Sequence, residues 1–278
     1  MTLGKSLAAV CGVLLATSAV AQEAVAGATA PADDAAALAL KLSNPVASLI
    51  SVPFQFNFDG GIGPEVNGSR DGERITLNVQ PVIPISLNED WTLISRTIVP
   101  VVWQNNLAPG AGSQFGLGDT VQSLFFSPAK PKGIIWGAGP VFLVPTGTDD
   151  LLSGRKWGAG PTGVVLKQAG PLTIGALANH IWSFAGNDSR NDISATFVNP
   201  FISYATKGGM SYGVSADITY NWKGDIWTLP VSANISQITK IGGQLVSIGG
   251  ALRYYTVANY GSPHGFAGRF TVTLLFPK

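Results

Sequence analysis

From Leu49 onward the chain alternates apolar and polar residues in runs of about 10 to 13 residues. Such a two-residue period places successive side chains on opposite faces of a strand. The run at 210–222 is the cleanest: Met210, Tyr212, Val214, Ala216, Ile218, Tyr220 and Trp222 share one face, while Ser211, Gly213, Ser215, Asp217, Thr219 and Asn221 share the other. The pattern predicts strands near 49–59, 73–86, 91–103, 117–127, 133–145, 156–167, 171–183, 195–207, 210–222, 226–238, 243–256 and 264–276. A strand tilted by about 45° needs roughly 9 to 11 residues to cross a bilayer core, so these runs have the length to span one. Their number is twelve, and an even count is what a closed barrel with both termini on one side requires.

The connectors support the same reading. Those around 60–72, 104–116, 146–155 and 184–194 are long and rich in Gly, Asn, Asp and Ser, whereas those at 87–90, 128–132, 168–170, 207–209 and 239–242 are short. Outer-membrane barrels carry long outside loops and short periplasmic turns, which puts both termini in the periplasm. Aromatic residues then fall into two belts. Trp103, Trp157, Trp182, Trp222, Trp227 and Tyr254 lie at outer strand ends, and Trp91, Phe126, Trp136, Tyr204, Tyr212 and Phe276 at inner ends. One feature runs against a regular barrel: Pro53, Pro81, Pro84, Pro100, Pro140, Pro161, Pro200 and Pro230 all lie within these strands. Proline removes a ladder hydrogen bond, so bulges or kinks are expected, and a kink in a membrane wall can open a lateral gap.

Residues 1–21 have the build of a secretory signal peptide, with Lys5, an apolar run from Leu7 and the small-residue site Ala19-Val20-Ala21. Cys11 is the single cysteine and lies in that segment, so a mature chain has no thiol, disulfide or zinc-thiolate site. Residues 22–48 form a separate periplasmic segment: AQEAVAGATAPADD reads as flexible chain and DDAAALALKLSN as a short helix, capped by Asp33 or Asp34 and stopped at Asn44-Pro45. It is either a periplasmic tail or a plug for the lumen. The barrel itself takes 49–278.

Composition narrows the chemistry. Only 12% of residues are charged and 34 are Gly, and without Lys5 the basic and acidic groups number 16 each. Neutrality gives no support to a nucleic-acid partner. The two histidines, His180 and His264, are too few for a histidine-rich metal site, and no cofactor is expected. The stretch GAGPTG at 158–163 matches a nucleotide-binding spacing but lacks a following helix. A lipid hydrolase would need one of the histidines; Ser183 has the wrong strand parity to serve His180, so no catalytic residue stands out. The charges inside strands are more telling. Arg96, Asp217, Arg253 and Arg269 have inward parity, since an outward Arg near the bilayer midplane costs about 2 to 4 kcal/mol. Together with Asp119 they are the candidates for a lumen constriction, with Asp119 and Asp217 as counter-ions of the arginines. Inward Val82, Ile94, Ile98 and Leu143 make that lumen less polar than a water-filled pore.

The stretches LSNPVASLISVPFQFNFDGGIGP (42–64), LISRTIVPV (93–101), FGLGDTVQSLFFSP (115–128) and GALANHIWSFAG (175–186) resemble the outer-membrane proteins grouped as MetA-pathway phenol-degradation-like. Members are often labelled only as transporters, and some carry the label neuromedin U. The resemblance implies an outer-membrane barrel of a Gram-negative bacterium that moves small, often aromatic or apolar, compounds, and it supplies no set of binding residues. The expected partners are membrane lipid, a small solute and the outer-membrane insertion machinery. A barrel-embedded lipid hydrolase and a structural or adhesive barrel are the alternatives.

Overall fold

Pairing of the alternating runs generates the architecture. In a computed structural model describing residues 32–63, 70–258 and 261–277, these runs form a closed antiparallel barrel of twelve strands. The strands are β1 (Ile50–Ile62), β2 (Gly72–Val79 and Val82–Ser86), β3 (Trp91–Asn105), β4 (Ser113–Leu117 and Thr120–Pro128), β5 (Ile134–Val144), β6 (Lys156–Ala169), β7 (Leu172–Gly186), β8 (Ser194–Ala205), β9 (Met210–Ala216 and Ile218–Asn221), β10 (Ile226–Ile241), β11 (Gln244–Ala258) and β12 (Gly265–Phe276). Each pairs with its chain neighbours, and β12 closes on β1 from Ile50 opposite Phe276 to Phe58 opposite Gly268. Closure leaves no free edge, which a sheet surrounded by lipid requires. The signal-peptide residues, Cys11 and the stretch 22–31 lie outside the described residues.

Parity sorts the side chains as the alternation predicts. Phe266, Phe270 and Phe276 point outward on β12, whereas Ala267, Thr273 and Leu275 are buried inside. All twelve belt aromatics are on the exterior surface. The belts are continuous in places: Trp91 meets Trp136 edge-on at 5.9 Å at the inner end, and Tyr220 meets Trp227 at 4.5 Å at the outer end.

Most of the strand prolines coincide with ladder irregularities, whereas Pro84 stands in regular register opposite Ile94. Pro53 faces the Gln80-Pro81 break in β2, where the Gln80 N–H donates to the Pro53 carbonyl at 2.9 Å. Pro100 faces the Gly118-Asp119 break in β4, and Gly118 N–H donates to its carbonyl at 2.9 Å. Pro200 and Pro230 flank the break at Asp217 in β9. Because Pro200 has no N–H, the Asn199 side-chain amide donates to the Ala216 carbonyl instead, at 3.0 Å. Pro140 and Pro161 stand opposite one another, each beside an unpaired stretch of the next strand. The walls stay in contact there: a Cβ on Gly139 would run into the Leu124 carbonyl, and one on Gly160 into the His180 carbonyl. Only glycine permits that approach.

The helix α1 (Ala32–Leu42) precedes the barrel. It starts at Ala32, so Asp34 sits in its first turn, where an acid suits the helix dipole, rather than at the cap position. It ends as expected ahead of Asn44, whose side chain accepts from the Val46 N–H at 3.0 Å. Leu38 and Ala39 pack on inward-facing Ala205, Ile238 and Leu275 at the inner strand ends. Ser43 Oγ lies 2.9 Å from Thr173 Oγ1, and Val46 enters a cluster with Ile94, Phe125, Val164, Leu166 and Leu177. Residues 32–46 therefore cross the inner half of the lumen from the β8–β10 wall to the β3–β7 wall.

Candidate functional site

Above this segment the lumen is charged. Arg253 on β11 pairs with Asp59 on β1 at 3.0 Å and lies 3.6 Å from Asp217 on β9. Asp217 also takes Arg269 of β12 at 2.9 Å, and Arg269 Nε donates to Asn57 Oδ1 at 2.7 Å. The Tyr255 hydroxyl donates to Asp59 at 2.7 Å. The break in β9 lets Asp217 reach both arginines, and Asn199 orients its other oxygen at 2.9 Å. Two carboxylates thus hold two guanidiniums in one network, the arrangement that keeps buried ions tolerable. Among the described residues, the remaining lumenal arginines meet only amides: Arg74 Nε donates to Gln104 at 3.0 Å, and Arg96 Nη2 to Gln80 at 2.8 Å.

Between the network and the N-terminal segment lies a cavity of about 560 Å³, bounded by Arg96, Arg269 and Asp217, by Phe197 and Phe201 on β8, and by Leu42 and Pro45 below. That volume is in the range of small-molecule sites, roughly 300–1,000 Å³.

Of the five residues expected at a constriction, Asp217, Arg253 and Arg269 come together, and Arg96 lines the cavity with Asp217 and Arg269. Asp119 does not. Its carboxylate accepts from Gly147 N–H, Ser153 Oγ and Gly154 N–H at 3.1, 2.6 and 2.7 Å, so it folds the outer loop 145–155 back onto the wall. The second counter-ion is Asp59, the last residue of the expected strand 49–59, which has the inward parity of Gln55 and Asn57 and is not among the five candidates. A further pair ties the rim: buried Lys156 reaches Asp192 at 3.1 Å, and that ammonium holds the Asp192 carboxyl below its usual range.

His180 faces outward in the outer belt, with its ring 4.1 Å from Trp182. Nδ1 lies 2.7 Å from Thr196 Oγ1 and Nε2 3.3 Å from Ser194 Oγ, a serine on the neighbouring strand that strand parity within one run does not reveal. His264 contacts backbone carbonyls of Gly61 and Ser262. Among the described residues there is no group of three or more His, Cys, Asp or Glu side chains fit to hold a metal.

No protein-family model and no curated protein matches the chain. Solved structures do. An outer membrane channel from Pseudomonas putida F1 superposes with a TM-score of 0.66 at 14% identity, over 82% of this chain and 96% of that one. Outer membrane phospholipase A from Escherichia coli gives 0.45 at 11% identity over 90% and 99%, and the β-domain of the Bordetella autotransporter BrkA gives 0.46 at 12% over 82% and 100%. At such identities the likeness is one of fold, and the two lower scores say nothing about chemistry. A closed barrel with an apolar outer band between aromatic girdles is the spanning fold of the bacterial outer membrane, and this chain is such a barrel.

Proposed function

We propose that the chain is a passive channel for small, largely apolar or aromatic solutes, in which residues 32–48 act as the plug. The observation that carries this reading is the mid-lumen cavity, closed from below by a segment that is held by side-chain packing in two apolar clusters and by hydrogen bonds of Ser43 and Leu40 with Thr173 and Gln168 rather than by a strand ladder. A segment held this way is displaced more readily than a barrel strand. The resemblance to the phenol-degradation-like transporters and the fold shared with the Pseudomonas channel support the same class. The test is swelling of liposomes containing the purified protein, with aromatic acids compared against sugars. Passage of the aromatic compounds is expected; if neither class passes, the channel reading fails and a structural or adhesive barrel takes its place.

A second reading, lipid hydrolysis at the outer interface, has one observation behind it, the contact of Ser194 with His180. The third partner is the Thr196 hydroxyl, already taking the Trp222 Nε1–H at 2.9 Å, in the position where a carboxylate or amide normally orients the imidazole. Phospholipase turnover by the wild type that disappears in Ser194→Ala decides for it; no turnover removes it.

A further inference from the structure

We infer that the cavity is a binding site for a compact organic monoanion, a carboxylate on an apolar or aromatic body, with Arg96 as its anchor. The inference rests on the channel reading for how such a ligand arrives.

Charge balance is the first argument. The lumen brings Arg74, Arg96, Arg253 and Arg269 together with Asp59 and Asp217, and both acids are engaged by Arg253 and Arg269. Arg96 has no carboxylate within 4 Å among the described residues; its partner is the Gln80 oxygen, held toward it by a Gln80–Gln55 amide contact of 3.2 Å. A neutral amide satisfies one of five N–H donors and none of the charge. An enclosed cation on which Asp217 acts only from beyond ion-pair distance favours whatever anion enters, and a guanidinium fork fits a carboxylate bidentately.

Geometry is the second. Arg96 lies on β3, while Phe197 and Phe201 project from β8, five strands away in a ring of twelve and so across the lumen. Leu42 and Pro45 add apolar surface below. One end of the cavity therefore suits a charged head and the other an apolar body. Two of the amides lining the cavity are already used: Asn199 Nδ2 serves Ala216 and Asp217, and Asn234 Nδ2 serves Ser215 and Ser232, so Arg96 supplies the charged donor. An organic cation finds no free acid, because Asp217 is shared by two arginines.

The experiment is calorimetric titration of the full folded barrel in detergent with benzoate, octanoate, benzyl alcohol and benzylamine. Benzoate or octanoate should bind at least tenfold more tightly than the alcohol and the amine, the better of the two acids identifying the body that fits. Arg96→Gln should abolish that preference and Arg96→Lys retain part of it. Acids binding no more tightly than the alcohol in the wild type overturn the inference whether or not the variants fold, as does unchanged acid binding in a folded Arg96→Gln barrel. Binding in detergent is independent of passage. Acid binding without liposome swelling defeats the channel reading and leaves the site; swelling with no preference for acids and no dependence on Arg96 does the reverse.

Discussion

Arg253 and Asp59 form a 3.0 Å ion pair across an intervening strand. Arg253 stands opposite Ala267 on β12, and Asp59 continues the β1 register that sets Asn57 opposite Arg269 and Phe58 opposite Gly268. The middle residue of the row is an alanine, and its small side chain lets the two charges meet over it. Both are shielded, with side chains 6% and 11% exposed. Removing one partner of a buried pair costs about 3–5 kcal/mol. Asp59→Ala should fall near the lower end, because Arg253 keeps Asp217 at 3.6 Å. Ala267→Leu should weaken the pair from between its members. Urea unfolding in detergent checks both; an Asp59→Ala barrel within about 1 kcal/mol of wild type would mean the pair has little structural weight.

The strands were legible because a barrel wall divides lipid from lumen at every residue, so the period of two persists through all twelve crossings. At Asp217 the alternation carries straight through a proline-flanked break, whereas opposite Pro100 and at Pro230 the register shifts by one residue. Face was legible; height and company were not. Asp119 and Asp217 are expected alike as counter-ions, but only the folded loop 145–155 shows that Asp119 serves Gly147, Ser153 and Gly154. Asp59 ends the expected strand 49–59, and only the register across β12 places it in a row with Arg253. For residues 32–48 the helix was readable from its composition, whereas its seat against Ala205, Ile238 and Leu275 depends on tertiary packing.

The Lys156–Asp192 pair gives the rim a pH dependence. The Asp192 pKa is lowered in the folded protein, chiefly by the Lys156 hydrogen bond and charge, so its contribution is fully present above the ordinary carboxylate pKa and is lost as pH falls through the depressed value. Loop 187–193 should stay anchored at neutral pH and loosen only in strong acid. Asp192→Asn should loosen it at pH 7, leaving the Lys156 ammonium, 7% exposed, without a counter-ion. Faster protease cleavage within 187–193 in the variant is the expected result, and equal rates would show that Ser183 and the backbone suffice.

The N-terminal segment offers a direct lock. Ser43 Oγ and Thr173 Oγ1 lie 2.9 Å apart, and no cysteine follows Cys11, so Ser43→Cys with Thr173→Cys introduces the only thiol pair after that residue. Oxidation should fix the segment across the lumen and lower aromatic-solute swelling several-fold, with recovery on reduction. Deleting residues 32–43 should raise it. Equal swelling of the oxidised and reduced forms would mean that solute passes without displacement of the segment.

The last strand bears on assembly. β12 presents Phe266, Phe270 and Phe276 to lipid, and Phe276 pairs with Ile50 at the inner end of the closing seam. An aromatic ending the closing strand resembles the signal read by the outer-membrane insertion machinery, and we propose that role for Phe276. The seam also has a strong physical demand on it, since an unclosed β1–β12 edge would leave N–H and C=O groups facing hydrocarbon. Removing 276–278 takes away the last registered pair and the inner-belt aromatic together, while β12 keeps its pairs from Ser51–Leu275 to Phe58–Gly268. Enough of the seam remains for the barrel to close once inserted. The truncated chain should therefore reach the outer membrane at a lower level, and the fraction that arrives should show wild-type swelling per barrel. Full-level assembly of the truncated chain would refute a signalling role for Phe276, and reduced swelling per inserted barrel would move its importance from insertion to the closed wall.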